Sequence, residues 1–284
     1  MAMNWLQLEK KWVNDLKAIY AEQEAKSLFF ISLKHHFGFD KTQYLIHQQE
    51  EVSSDQVLQM ERILAELQTG KPIQYCLGET EFMGLAFQVN PAVLIPRPET
   101  EELVHWILDE VANHQLHASR ILDIGTGSGC ISVSLKSKLP DADIWALDSS
   151  SEALETAKLN AINNGVELNF LEIDILKDDI DEFFDILVSN PPYVTETEKA
   201  QMHKNVLDFE PHTALFVPDQ DPLIFYHRIS DLALQHLKPG GLLFFEINEQ
   251  LGKQTLELLE AKGFHSLELR KDFFGKDRMI KASI

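Results

Sequence analysis

Forty-five Asp and Glu residues against 25 Lys and Arg leave this 284-residue chain with a formal net charge of −20 and a pI near 4.9. That balance opposes close approach to phosphate backbones and disfavours unaided DNA or RNA binding; a neutral or basic protein partner fits better. With 44% apolar residues and 17 Phe, the chain can build a sizeable core, and at about 100 to 200 residues per domain it divides into two domains.

The chain begins with helical periodicity. Trp5, Leu8, Trp12, Leu16 and Ile19 recur at intervals of three and four and fall on one stripe of a helix. A second helix is expected over Ala25 to His36. Ser53 and Gln56 can form a capping box ahead of Val57, Met60, Ile63, Leu64 and Leu67, and Gly70 and Pro72 then stop the helix. Residues 1–75 therefore read as a small all-helical domain. Between Gln74 and Leu94 short runs such as Phe82 to Val89, punctuated by Gly78, Gly84 and Pro91, predict a hairpin or extended linker over 76–94.

From residue 95 to residue 284 strands alternate with helical or connecting segments. Strands are expected at Arg120–Ile124, Asp143–Leu147, Leu168–Ile173, Phe184–Ser189 and Gly241–Ile247, which predicts an α/β fold with a doubly wound, mostly parallel sheet. A late pair near Ser266–Leu269 and Arg278–Lys281 is expected to form an antiparallel edge.

Cys76 and Cys130 are the two cysteines and do not form a Cys-x-x-Cys pattern, so neither a disulfide framework nor a zinc site is expected, and no other metal site is read. Glu9, Lys10 and Lys11 interrupt any apolar signal-peptide core, and Leu242-Leu243-Phe244-Phe245 falls far short of the roughly 20 residues of a spanning helix. The expectation is a soluble, cytoplasmic protein with no membrane partner.

Two segments carry chemistry. Ile121-Leu122-Asp123-Ile124 runs into Gly125-Thr126-Gly127-Ser128-Gly129 and then into the helical pattern Ile131, Val133, Leu135. Glycines let backbone approach a ligand and deliver it to the positive end of a helix, so a nucleotide-like cofactor is implied. Asp148, 21 residues after Gly127 at the end of the next strand, is placed to accept hydrogen bonds from both ribose hydroxyls. The spacing Gly-x-Gly-x-Gly departs from the dinucleotide turn Gly-x-Gly-x-x-Gly and tilts the choice to S-adenosylmethionine. Asp174 invites the same argument more weakly, and Ile175 beside it offers an apolar wall for adenine.

Asn190-Pro191-Pro192-Tyr193 follows the apolar run Phe184–Ser189, at a strand's carboxyl end where open α/β sheets place ligands. Two prolines hold this turn rigid. An amide or aromatic amine is a poor nucleophile because its lone pair is delocalised, so a methyl-transfer site must hold its N–H bonds with acceptors. The side-chain oxygen of Asn190 and the carbonyl of Pro191 can each take one, while the Tyr193 ring packs on the planar group.

Asp123 to Gly129 together with Asn190 to Tyr193 resemble the class I, Rossmann-like amino-methyltransferases. Leu94-Ile95-Pro96-Arg97-Pro98-Glu99-Thr100-Glu101 and Phe209-Glu210-Pro211 with Ala214-Leu215 narrow the resemblance to release-factor glutamine methyltransferases of the PrmC/HemK type, over essentially the whole chain. The resemblance implies methyl transfer to the side-chain amide of the glutamine in the Gly-Gly-Gln loop of bacterial peptide chain release factors, with S-adenosyl-L-homocysteine as co-product. It implies further that Gly125, Thr126, Gly127, Ser128, Gly129, Asp148, Ile175 and Asn190 hold the cofactor. Asn190, Pro191, Pro192 and Tyr193 would receive the glutamine, the helical domain would read the partner, and the enzyme would work as a monomer. Family members often carry an aromatic residue after the third-strand acid; here it is Ile175. The segment Pro96–Glu101 is expected to be a strand-end loop walling the site, with Arg97 either paired to Glu210 or in a plain surface salt bridge. Alternatives are methylation of a glutamine in a large-subunit ribosomal protein, an adenine amino-methyltransferase, which would need a basic cleft, and a catalytically silent cofactor-binding scaffold.

Overall fold

The computed structural model describes residues 3–114 and 119–284. The chain divides into two compact units, Met1–Gly78 with His203–Phe209, and Glu79–Met202 with Glu210–Ile284.

In the first unit the helical stripe forms α1 (Trp5–Leu16), with Trp5, Leu8, Trp12 and Leu16 buried. Ile19, expected on that stripe, lies beyond the helix end in a turn closed on the Leu16 carbonyl and is 49% exposed. The second helix, α2 (Glu22–Phe37), stops at Gly38, whose φ of 68° is the left-handed conformation that glycine tolerates. α3 (Lys41–His47), capped by Asp40, has no counterpart in the sequence reading because the segment has only Tyr44 to bury. The capping box at the start of α4 (Ser54–Leu67) is formed: Gln56 N–H donates to Ser53 Oγ at 3.3 Å and Ser53 N–H to Gln56 Oε1 at 3.0 Å. Indole Nε1 of Trp12 donates to the Ala25 carbonyl at 3.1 Å, which satisfies the polar edge of an otherwise fully buried ring.

In the second unit, a hairpin of Glu79–Phe82 and Leu85–Gln88 precedes the sheet. Among the described residues seven strands form that sheet: β1 (Arg120–Ile124), β2 (Asp143–Asp148), β3 (Asn169–Glu172), β4 (Phe184–Ser189), β5 (Leu237–Glu246), β6 (His265–Lys271) and β7 (Asp277–Ser283). Their order is β6-β7-β5-β4-β1-β2-β3, with β1 to β5 parallel and β7 antiparallel to both β5 and β6. The doubly wound α/β expectation therefore holds, including its antiparallel edge. β5 starts earlier than expected, at Leu237, because a register shift between Leu237 and Leu242 carries Pro239 and the glycines through the strand.

The central strands are buried on both faces, as parallel strands between helices must be. Ile121, Ile186, Val188 and Phe244 face one apolar layer with Trp106 and Val133; Leu122, Leu187, Leu243 and Phe245 face the other with Tyr226 and Ile229. The helix α5 (Pro98–His114) supplies Trp106. Here the sequence expectation needs correction: Pro96–Glu101 is not a loop throughout, since α5 begins at Pro98. Proline has no N–H and a φ already suited to the first helical position, so the second proline of Pro-Arg-Pro starts a helix. No helix among the described residues is long and apolar enough to cross a membrane.

Candidate active site

Register builds the site before any side chain is considered. Ile124 pairs with Leu147 and with Ser189, and Ser189 pairs with Phe245. The residues that follow, Gly125, Asp148, Asn190 and Glu246, therefore line one carboxyl edge. Strand order reverses between β1 and β4, so this is the switch point where α/β sheets bind ligands. Ser189 Oγ donates to the Ile124 carbonyl at 2.7 Å and fastens the two strand ends together.

The glycine loop turns tightly over the end of β2, with the N–H groups of Gly125 and Thr126 both donating to the Leu147 carbonyl at 2.8 and 2.9 Å. Gly125 and Gly127 have φ of 75° and 56°, and a Cβ on either would point into open space. The left-handed backbone, and not a neighbouring atom, reserves these positions for glycine, and the open space is where a ligand fits. Gly129 is left-handed too, with φ of 79°, but there a Cβ would also meet the Ala157 Cβ at 3.1 Å, so this glycine in addition lets α6 (Cys130–Lys138) approach α7 (Ser151–Asn163) closely. Thr126 and Ser128 are buried. Thr126 Oγ1 donates to Asp123 Oδ2 at 2.6 Å, and the Ser132 N–H reaches the same oxygen at 3.2 Å. Asp123 Oδ1 is buried without a hydrogen-bond partner among the described residues, and burial pushes the Asp123 carboxyl up to about 6.

Asp148 spends one lone pair of each carboxylate oxygen on backbone, Oδ2 accepting from Gly127 N–H at 2.9 Å and Oδ1 from Ser150 N–H at 3.0 Å. A carboxylate offers about four acceptor positions, so two remain for a pair of hydroxyls. Burial raises its pKa, although the backbone N–H groups of Ser150, Gly127 and Ser149 all favour the charged form. Ile175 is buried in the apolar layer with Leu122, Ile124 and Leu147, while its carbonyl accepts Arg228 Nε at 2.8 Å. Asp174 is paired with Lys177 at 2.6 Å.

At the other half of the edge, Asn190 Nδ2 donates to Thr100 Oγ1 at 3.3 Å, and Thr100 Oγ1 donates to Glu246 Oε2 at 2.7 Å. Tyr193 OH donates to the second oxygen, Glu246 Oε1, at 3.1 Å. Burial next to Glu246 keeps the Tyr193 phenol well above its ordinary range, so it remains a donor. The Tyr193 carbonyl accepts from Asn248 Nδ2 at 3.1 Å. Among the described residues neither Asn190 Oδ1 nor the Pro191 carbonyl accepts a hydrogen bond. A small cavity lined by Leu94, Arg97, Asn190, Pro191, Tyr193 and Glu246 opens at this point.

Arg97 is paired with Glu210, Nη2 to Oε1 at 2.6 Å, and the Ile95 N–H reaches Glu210 Oε2 at 3.3 Å. Glu210 has a side-chain exposure of 1%, so of the two expectations for Arg97 the pairing with Glu210 is realised, and it is no plain surface bridge. Glu246 and Asn248 escaped the sequence reading, and Thr100 entered it only within the string Leu94 to Glu101, with no role of its own. The signal at Glu246 was polarity in an apolar setting: it breaks the run Leu242 to Ile247, and a charge there needs partners.

The amino-terminal portion, residues 7–78, matches the model of the PrmC N-terminal domain, and residues 104–209 match that of the methyltransferase small domain. A protein of Flavobacterium psychrophilum named release factor glutamine methyltransferase is 49% identical over 96% of both chains. The chain belongs to the release factor glutamine methyltransferase family. Relatives of the same name from Bacteroides thetaiotaomicron and Streptococcus pneumoniae are 44% and 41% identical to this methyltransferase, covering 94% and 91% of it and 96% and 91% of themselves. Its fold is shared with a methyltransferase from Pyrococcus furiosus, at a TM-score of 0.52 and 20% identity, over 70% of this chain and 89% of that one.

Proposed function

We propose that the protein transfers a methyl group from S-adenosylmethionine to the side-chain amide nitrogen of the glutamine in the Gly-Gly-Gln loop of peptide chain release factors. One observation carries the reading: among the described residues no donor reaches Asn190 Oδ1 or the Pro191 carbonyl, which stand on the same sheet edge as the glycine loop and Asp148. Two acceptors match the two N–H bonds of a primary carboxamide.

Gly125 to Gly129 and Asp148 would hold the cofactor, the open side of the loop receiving it and the spare lone pairs of Asp148 taking its ribose hydroxyls, with Ile175 beneath the adenine. The bound cofactor supplies an activated methyl group on a sulfonium. Asn190 Oδ1 and Pro191 O accept the two amide N–H bonds, turning the nitrogen lone pair towards the methyl, and Tyr193 and Pro192 wall the planar group. The positive charge that nitrogen would acquire on taking the methyl group from sulfur would be stabilised by both acceptors, Asn190 Oδ1 and Pro191 O. One N–H proton then leaves to solvent, and S-adenosyl-L-homocysteine is the co-product. Alignment of this kind can supply up to about 7 to 11 kcal/mol. The helical unit would read the protein partner, and the enzyme would act as a cytoplasmic monomer.

The test is incubation with methyl-labelled S-adenosylmethionine and purified release factor, followed by peptide mass spectrometry. One added methyl on the Gly-Gly-Gln glutamine is expected; no incorporation, or incorporation that survives Gln→Ala in that loop, overturns the reading.

A further inference from the structure

We infer that buried Glu246, acting through the Thr100 hydroxyl, fixes which way the Asn190 amide faces and so makes Asn190 an acceptor towards substrate. The inference rests on the methyl-transfer reading above and names two positioning residues for it.

The argument is one of proton counting. A threonine hydroxyl has one proton. Thr100 Oγ1 lies 2.7 Å from Glu246 Oε2 and 3.3 Å from Asn190 Nδ2, and Thr100 and Glu246 are 2% and 1% exposed. A carboxylate accepts and cannot donate, so the hydroxyl proton goes to Glu246, leaving only oxygen lone pairs towards Asn190. Those lone pairs attract the Asn190 NH2 and repel Oδ1. A flipped amide would set oxygen against oxygen in a water-poor site, where an unmet pair is costly. Asn190 Oδ1 is thereby turned away from Thr100 and left for the substrate N–H.

The other carboxylate oxygen holds Tyr193 OH at 3.1 Å, so one buried acid orients both the acceptor and the ring that flank the glutamine. Burial pushes the Glu246 carboxyl up, while the Thr100 hydroxyl, the Arg278 charge and the Tyr193 hydroxyl all pull towards the ionised, accepting form; Tyr226 OH donates to the Glu246 main-chain carbonyl at 3.1 Å, which pins the strand end. Register brings the three parts together: Glu246 and Asn190 follow the paired residues Phe245 and Ser189, while Thr100 comes from the first turn of α5.

The decisive variants are Thr100→Val, which keeps the shape and removes the relay, and Thr100→Ser, which keeps the hydroxyl. With full-length protein and release factor, Thr100→Val should lower kcat by at least about tenfold, in keeping with the sensitivity of aligned reactions to small misplacements. Affinity for S-adenosylhomocysteine should stay the same, and Thr100→Ser should recover most of the rate. In an Asn190→Ala background the same Thr100→Val change should cost nothing further, because the relay has lost its object. Multiplicative losses, or a loss that Thr100→Ser does not recover, overturn the inference.

A second readout needs no turnover and separates this inference from the choice of substrate. In protein labelled with 15N-asparagine, the side-chain NH2 signal assigned by its loss in Asn190→Ala should exchange with solvent at least about tenfold faster in Thr100→Val than in the parent protein. Unchanged exchange overturns the relay even where release factor is methylated. Faster exchange upholds it even where release factor is not the substrate.

Discussion

Asp148 Oδ2 accepts the Gly127 N–H across 2.9 Å, so the acid that ends β2 and the loop that follows β1 form a single construction. The same carboxylate that would take ribose hydroxyls also sets the curvature of the loop.

Asp148→Asn should therefore weaken binding of S-adenosylmethionine by at least about tenfold, since a hydrogen bond to a charged group is worth about 1.5 to 3 kcal/mol. Asp148→Ala should cost more because the loop loses its tether as well. Calorimetric titration of both variants measures this, and equal affinity for parent and Asp148→Ala would remove the acid from the cofactor site.

Asn190→Ala takes away the acceptor without touching Asp148 or the loop. Loss of one preorganised polar contact costs about 10²-fold or more in kcat, while cofactor affinity should stay close to that of the parent. Single-turnover methylation of release factor separates the two quantities. Asn190→Asp keeps an acceptor but places a charge facing the sulfonium, so it should tighten cofactor binding and still turn over slowly; turnover at the parental rate in Asn190→Ala would refute alignment as the mechanism.

Asp123 predicts a pH signature. Its folded pKa of about 6 lies above the ordinary 3.8, so the folded protein binds this proton more tightly than the unfolded chain does. Its contribution to stability is full below about pH 4 and is lost as pH rises through about 6, by about 3 kcal/mol in total. In Asp123→Asn the amide oxygen can keep both the Thr126 and Ser132 bonds and no charge is buried. Urea unfolding at pH 4, 5, 6 and 7 should show the parent losing stability relative to the variant across that window and a constant difference above it. A difference that does not change with pH would contradict the buried-carboxyl account.

Glu210 is buried against Arg97, and breaking a buried pair from one side costs more than removing both charges. Arg97→Ala should destabilise the protein by about 1 to 3 kcal/mol, less than for a fully buried pair because Arg97 is 33% exposed. Adding Glu210→Gln to it should restore part of that loss. Denaturant midpoints decide; simple additivity of the two changes would mean that the pair is not coupled.

What the sequence reveals of this site depends on how close in the chain its parts lie. Gly125 to Gly129 and Asn190 to Tyr193 are contiguous, and the chemistry of each string is legible where it stands. Asp148 is legible because strand spacing carries the argument. Thr100 and Glu246 stand 146 residues apart and meet only through the docking of α5 on the sheet, which no local pattern encodes. Pro96–Glu101 is ambiguous for a local reason: a proline breaks a helix interior but suits its first position, and the helix that starts at Pro98 is held to the sheet by Trp106 against Phe244, ring centroids 5.5 Å apart. Ile19 fails for the opposite reason, since its spacing is helical but the helix has already ended.

The register of β5 sets where this gene can change length. From Leu242 to Phe245 every residue is paired with β4, and Glu246 follows directly. Inserting or deleting one residue there would exchange the two faces of the strand and aim the Glu246 carboxylate into an apolar layer. Between Leu237 and Leu242 the pairing already slips, so a gained or lost residue at Lys238 to Gly241 can be absorbed before it reaches the edge that bears Asn190. Natural variants of this enzyme should thus differ in length on the amino-terminal side of Leu242 and keep a fixed count from there to Glu246.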